Sequence, residues 1–221
     1  MQPRAFIRQL QALPELTAVF NPWRDFDVKN DIGPQALAIR ASNLERYLAA
    51  RVGRARLLLV AEAPGFRGCK FSGIAMTSER ILLGKQPSVP HEAVFPGEKQ
   101  RTSRPSLYAD GFIEPTASIT WSLLLSLGLS PEEFVLWNAF PCHPHKPDNR
   151  LSNRTPTPKE LQVAGHILPL MLELFPSAQV VAVGRVAQRA LADLNYQVPS
   201  VRHPAMGGAS RFRAQIQALL E

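Results

Sequence analysis

Three short, continuous apolar runs constrain what this chain can fold into more than any other feature. Arg56–Val60 (RLLLV), Phe134–Trp137 (FVLW) and Ala178–Val183 (AQVVAV) do not alternate apolar with polar residues. That is the pattern of strands covered on both faces. Helix-patterned stretches lie between them. Residues 35–52 space Leu37, Ile39, Leu44, Tyr47 and Leu48 for one helical face, and Thr77–Leu83 and Ser118–Leu127 read as shorter helices. Thr155 or Thr157 can cap a helix from about Lys159 to Leu174. Gly184 opens another helix to Leu194, Gln197–Val201 is a weaker fourth strand, and Gly208 starts a final helix. Strands alternating with helices predict βαβ units. The expected fold is therefore a three-layer α/β/α sandwich around a central, mostly parallel, four-stranded sheet. Ligands of such sheets sit at the carboxyl ends of the strands, so the loops after Val60, Trp137 and Val201 should share one functional edge.

A length of 221 residues, 45% of them hydrophobic and 19% charged, suits one domain over 1–221 with a real core. Residues 84–117 carry Pro, Gly, Lys and Arg without a sustained period. So long an irregular, basic stretch is expected to be functional or mobile. No apolar run approaches the ~20 residues that cross a bilayer. The start, MQPRAFIRQLQALPEL, has no continuous apolar core of a signal peptide. With Cys69 and Cys142 as the only cysteines, two free thiols in a reduced, cytoplasmic, monomeric protein are expected. A net charge of +7 favours a polyanionic partner.

Chemistry-bearing residues gather where the strands end. Ala61-Glu62-Ala63-Pro64-Gly65 follows the first strand, with Gly68-Cys69-Lys70-Phe71-Ser72-Gly73 just beyond. Asn138 ends the second strand and leads toward Asn153-Arg154-Thr155-Pro156-Thr157-Pro158. Val183-Gly184-Arg185-Val186-Ala187 closes the third, and His203-Pro204-Ala205 follows the fourth. In that order, over about 57–213, these segments resemble the uracil-DNA glycosylase superfamily, most closely its family 4-like branch. The first is similar to the branch's GEAPG motif with Ala for the leading Gly. The second matches G-x-P-F-x-G at three positions, and the last is similar to H-P-S.

The resemblance implies an enzyme that flips a damaged base out of DNA and hydrolyses its N-glycosidic bond. Glu62 would orient water or favour the positive charge on the sugar. His203 would donate to the oxygen of the leaving base, where negative charge develops. Ala63, Pro64 and Gly65 would form the turn approached by the base, and Phe71 would be its stacking platform. Asn138, whose amide both donates and accepts, would pair with the base edge. Arg150, Arg154, Arg202 and Arg211 are candidate phosphate contacts. Met206 is a candidate wedge for the gap left by the flipped base, with Phe212 or Arg211 able to serve instead. The partner implied is DNA containing a deaminated or otherwise damaged base, with no membrane role. The bland readings of the same residues are a helix-capping glutamate, a core phenylalanine, a turn asparagine and a structural histidine.

Departures from the branch matter. Its iron–sulfur cluster takes four cysteines; only Cys142 falls at a ligand position and no N-terminal C-x-x-C exists, so no cluster is expected. The stretch from Gly65 to Phe71 is short and lacks the branch's acidic pair, which leaves Glu62 alone. That loss motivates the alternative of a DNA-binding relative with little turnover. Cys142-His143-Pro144-His145 invites a zinc reading, but a proline-stiffened loop explains it better, so no metal is expected. No cofactor is implied, since neither G-x-G-x-x-G nor a P-loop occurs.

Overall fold

A computed structural model describes residues 1–221. The elements run α1 (Pro3–Gln11), β1 (Val19–Phe20), α2 (Ala36–Ala49), β2 (Leu57–Ala61), α3 (Cys69–Ser72) and α4 (Glu79–Leu82), then α5 (Pro115–Ser126) and β3 (Phe134–Asn138). They continue with β4 (His143–Pro144), α6 (Pro158–Val163), α7 (Ile167–Leu174), β5 (Gln179–Val183), α8 (Arg185–Asp193), β6 (Ser200–Val201) and α9 (Ala209–Leu220). The three apolar runs and the weaker fourth strand form one parallel sheet in the order β3-β2-β5-β6. Every residue of β2 and β3 is buried, as continuous apolar strands between helical layers must be. Helix α8 packs on β5 and β2, α9 on β6, and α1 bridges α2 and α7. The fold is the α/β sandwich expected. No helix is long and apolar enough to cross a membrane.

Register sets the functional edge. Ala61 pairs with Asn138, Val60 with Ala182, and Val183 with Val201, so the four strands end nearly level. The ladder continues one step beyond, with Phe140 N–H donating to the Glu62 carbonyl and Gly184 N–H to that of Val201. As an edge strand, β3 would leave amides unpaired. Tyr47 of α2 covers one of them by accepting from the Leu136 N–H at 2.8 Å.

Three features depart from the sequence reading. The helix expected from Lys159 to Leu174 is broken at Ala164–His166 into α6 and α7. Thr157 is the cap, and Glu160 closes a capping box with it. Helix α1 and the β1–β4 antiparallel ribbon are additions to it, because neither two-residue strand has a pattern of its own. Last, the stretch 84–117 is irregular up to the start of α5 at Pro115, but it is pinned to the body. Arg101 donates to the carbonyls of Ser103, Tyr108 and Ala109, and Arg104 to those of Val28 and Asp31. Val89, Val94, Phe95 and Phe112 sink into the protein. The fully buried Arg51 grips this cover through the Ala93 and Val94 carbonyls and β3 through that of Phe134. Its basic residues are thus mostly spent on folding.

Candidate active site

Two adjoining clefts open at the strand ends, and the His203 loop contributes to both. The first, about 600 Å³, is lined by Glu62 from the end of β2, Gly184 and Arg185 from the end of β5, and Arg202, His203 and Arg211 from around β6. The second, about 340 Å³, lies between Gly65, Phe66 and Arg67, Glu114 before α5, Asn153, and Pro204, Ala205 and Met206. Glu62, His203, Arg202 and Arg211 are therefore brought together, and Gly65 and Met206 meet beside them. Arg185 joins the first cleft as a cation that sequence reasoning does not single out.

His203 has a definite tautomer. Its Nδ1 accepts from the Ala205 N–H at 3.1 Å, so the neutral ring carries its proton on Nε2. Burial, helped by the neighbouring Arg202 charge, holds the imidazole below its ordinary 6.5 and hence neutral at pH 7. A neutral Nε2–H is a donor ready for an oxygen that gains negative charge. Two glycines fix the loop. Gly184 at φ +90° lets the end of β5 approach, since a Cβ there would stand 3.3 Å from His203 Cβ. Gly208 is tighter still: a Cβ would fall 2.1 Å from the His203 carbonyl oxygen. Gly208→Ala must therefore displace the loop, and is expected to cost about 1–3 kcal/mol in a denaturant titration.

Met206 stands at the tip of this loop with 93% of its surface exposed and φ at +55°. A large apolar side chain held out on left-handed backbone has no role in the core.

Other candidates sit elsewhere. Phe71 is fully buried: Phe112 stacks on it at 4.6 Å and 6°, and Lys70 Nζ lies 3.9 Å from its centroid. The open platform expected from the sequence is closed, and a base can reach that ring only once Phe112 swings away. The bland reading of a core phenylalanine describes it as it stands. Lys70, in the place of the motif's proline, pairs with buried Asp27 at 2.8 Å. Asn138 is buried at the strand end and lines neither cleft. Ala63 is half-buried and Pro64 buried within the turn.

Arg150 lines a separate hollow with Asp27 and His145, donating to the Phe26 carbonyl. Arg154 is a correction to the expected phosphate contact. All five of its N–H donors are committed, to the carbonyls of Ala18, His145 and Thr155 and bidentately to Glu160. It braces the 145–160 loop and has no donor left for phosphate.

Among the zinc candidates, burial pushes the Cys142 thiol far up and the His143 imidazole down to about 3. No three His, Cys, Asp or Glu side chains converge as a metal site would need.

The chain is similar to known proteins of one superfamily. Residues 51–219 match the model of the Uracil DNA glycosylase superfamily. A type-4 uracil-DNA glycosylase of Archaeoglobus fulgidus is 29% identical over 103 residues, 47% of this chain and 48% of that protein. The type-4 enzyme of Thermotoga maritima is 31% identical over 93 residues, 42% of each chain. The alignments thus span less than half the length of these curated relatives. The crystal structure of Pedobacter heparinus SMUG2 superposes over 100% of this chain and 97% of its own with a TM-score of 0.62. At 14% identity that likeness speaks for the fold alone.

Proposed function

The chain belongs to the Uracil DNA glycosylase superfamily, and from that membership and the geometry of the strand-end clefts we propose that it is a monofunctional DNA glycosylase. Its substrate is DNA carrying uracil or another deaminated base, and its reaction is hydrolysis of the N-glycosidic bond with water as nucleophile. The observation that carries this reading is the neutral, Nε2-protonated His203 sharing a cleft with the Glu62 carboxylate. As the glycosidic bond breaks, the base leaves as an anion and the sugar becomes cationic. His203 Nε2–H stabilises the first charge, and Glu62 the second, while it orients the attacking water. Arg185, Arg202 and Arg211 around the same cleft suit the phosphates flanking a flipped nucleotide. Met206 fills the vacated position in the stack. Phe71 and Asn138 hold the base after Phe112 withdraws from the Phe71 ring.

Base release from end-labelled oligonucleotides carrying uracil, hypoxanthine or xanthine tests the reading. Abasic sites formed by the native protein support it. Tight, salt-sensitive binding without release from any of them replaces it with a DNA-binding relative that has lost turnover.

Met206→Ala separates the wedge from the chemistry. Because the side chain touches little, folding stability is expected to stay within about 0.5 kcal/mol. Release from duplex substrate is expected to fall roughly 10-fold, about 1.4 kcal/mol, as part of the unstacking cost is no longer offset, with single-stranded substrate nearly unaffected. The ratio of the two rates is the measurement.

A further inference from the structure

We propose that Glu114 is a specificity-determining residue of this site, its carboxyl contacting the edge of the flipped base. This inference rests on the glycosylase reading above. Glu114 stands at the N-cap of α5, yet its side chain makes no capping bond. It turns instead into the Gly65–Gly68 turn and fills the space those glycines leave. A Cβ on Gly68 would lie 2.2 Å from Oε2, and one on Gly65 3.3 Å from Oε1. A side chain at Gly68 would collide with the carboxyl where it stands, and one at Gly65 would press on it, so the turn leaves room for Glu114. Oε2 is buried without a hydrogen-bond partner. Glu114 as a whole is half-buried and lines the cleft, so its carboxyl lies where a ligand seated there would complete it. The surrounding cleft of about 340 Å³, walled by Asn153, Pro204 and Met206, is at the small end of ligand-pocket sizes and suits a single base.

The protonation state follows from the surroundings. Burial pushes the Glu114 carboxyl up to about 7. Two ionisable groups lie near this wall: Arg67 in the cleft and the Cys69 thiol that opens α3. Neither forms an ion pair with Glu114, and burial, with Glu114 adding to it, holds Cys69 un-ionised. A neutral carboxylic acid donates through its O–H and accepts through its C=O. The adjacent carbonyl and N–H of uracil or hypoxanthine offer the complement of those two functions. An ionised Glu114 would face the base carbonyl with a second acceptor. Base engagement should therefore be full below about pH 7 and weaken about tenfold per pH unit above it, as one proton must be taken up.

The test is binding of an oligonucleotide bearing 2′-fluoro-2′-deoxyuridine, which resists base release, between pH 5.5 and 8.5. Native protein is compared with Glu114→Gln and Glu114→Leu, and the same duplex carrying thymine corrects for general DNA affinity. The expected result is uracil-specific affinity that falls above pH 7 in native protein. In Glu114→Gln, which stays neutral and keeps a donor and an acceptor, it should be level with pH; in Glu114→Leu it should be at least tenfold weaker at pH 6. Uracil-specific affinity that is independent of pH in native protein, or unchanged in Glu114→Leu, overturns the assignment. So does a Glu114→Gln variant as defective as Glu114→Leu at pH 6 with an unchanged thermal midpoint, because a carboxylate role would then be required. The readout is binding, so failure of the native protein to release any base would sink the glycosylase reading without deciding this one.

Discussion

Replacing His203 with alanine is expected to slow base release by about 100- to 1,000-fold, the usual cost of removing one donor aimed at a developing anion. The loss should fall on kcat, because the bond from Nε2–H strengthens only as the base acquires charge. Folding should be nearly unaffected, since His203 is half-buried on a loop and its one bond is to the Ala205 amide two residues on. A thermal midpoint within a few degrees of native checks that the loss is chemical. The pH dependence has a definite sign. Burial and Arg202 keep the folded imidazole below 6.5, so the neutral donor is fully present at pH 7 and above. As pH falls through that lowered value, a proton on Nδ1 breaks the bond from the Ala205 N–H and disturbs the loop. Base release should decline on the acid side in a window below pH 6.5, and His203→Ala should lack that limb. A variant retaining native kcat would remove His203 from the mechanism.

Asp31→Ala is expected to destabilise the protein by about 3–5 kcal/mol, the cost of stranding one partner of a buried ion pair. Asp31 and Arg40 are both fully buried, joined at 2.8 and 3.2 Å. Arg40 also donates to the carbonyls of Pro22 and Asp25. Asp31 in turn bridges to Ser103 in the long cover segment. The pair therefore ties α2, the 21–32 loop and the 84–117 cover at one point. Without its carboxylate the guanidinium would have neither water nor a counter-charge. For a chain of this size the midpoint should fall by about 10 °C. Asp31→Leu combined with Arg40→Met should recover much of that loss, because replacing both charges removes the desolvation penalty along with the attraction. A midpoint unchanged in Asp31→Ala would show the pair to be energetically idle.

Much of the frame is legible in the apolar pattern of the chain. The continuous runs of β2 and β3 can only be doubly covered strands, and the alternation with helices makes the sheet parallel. The site is legible where it follows directly from a strand end. Glu62, Gly184 and His203 each lie within two residues of β2, β5 or β6, and level strand ends bring such residues together. The exposed position of Met206 beside the second cleft follows from the same loop motif. Arg154 looks like its neighbour Arg150, a cation in a proline-rich loop. Only the placement of Glu160 and three carbonyls shows that it is fully spent.

The sequence alone determined the periodicities, and with them the element types, the order of strands and helices along the chain, and the edge at which the candidate residues gather. These are local properties: apolar spacing and turn residues act over a few positions, and register then propagates them. Tertiary structure decided which side chains are open and which are closed. Phe71 is covered by Phe112, 41 positions away along the chain, and Glu114 reaches glycines nearly 50 positions before it. No periodicity joins such residues, because much of the segment between them is irregular and its path is set by ion pairs and carbonyl contacts with distant parts of the chain.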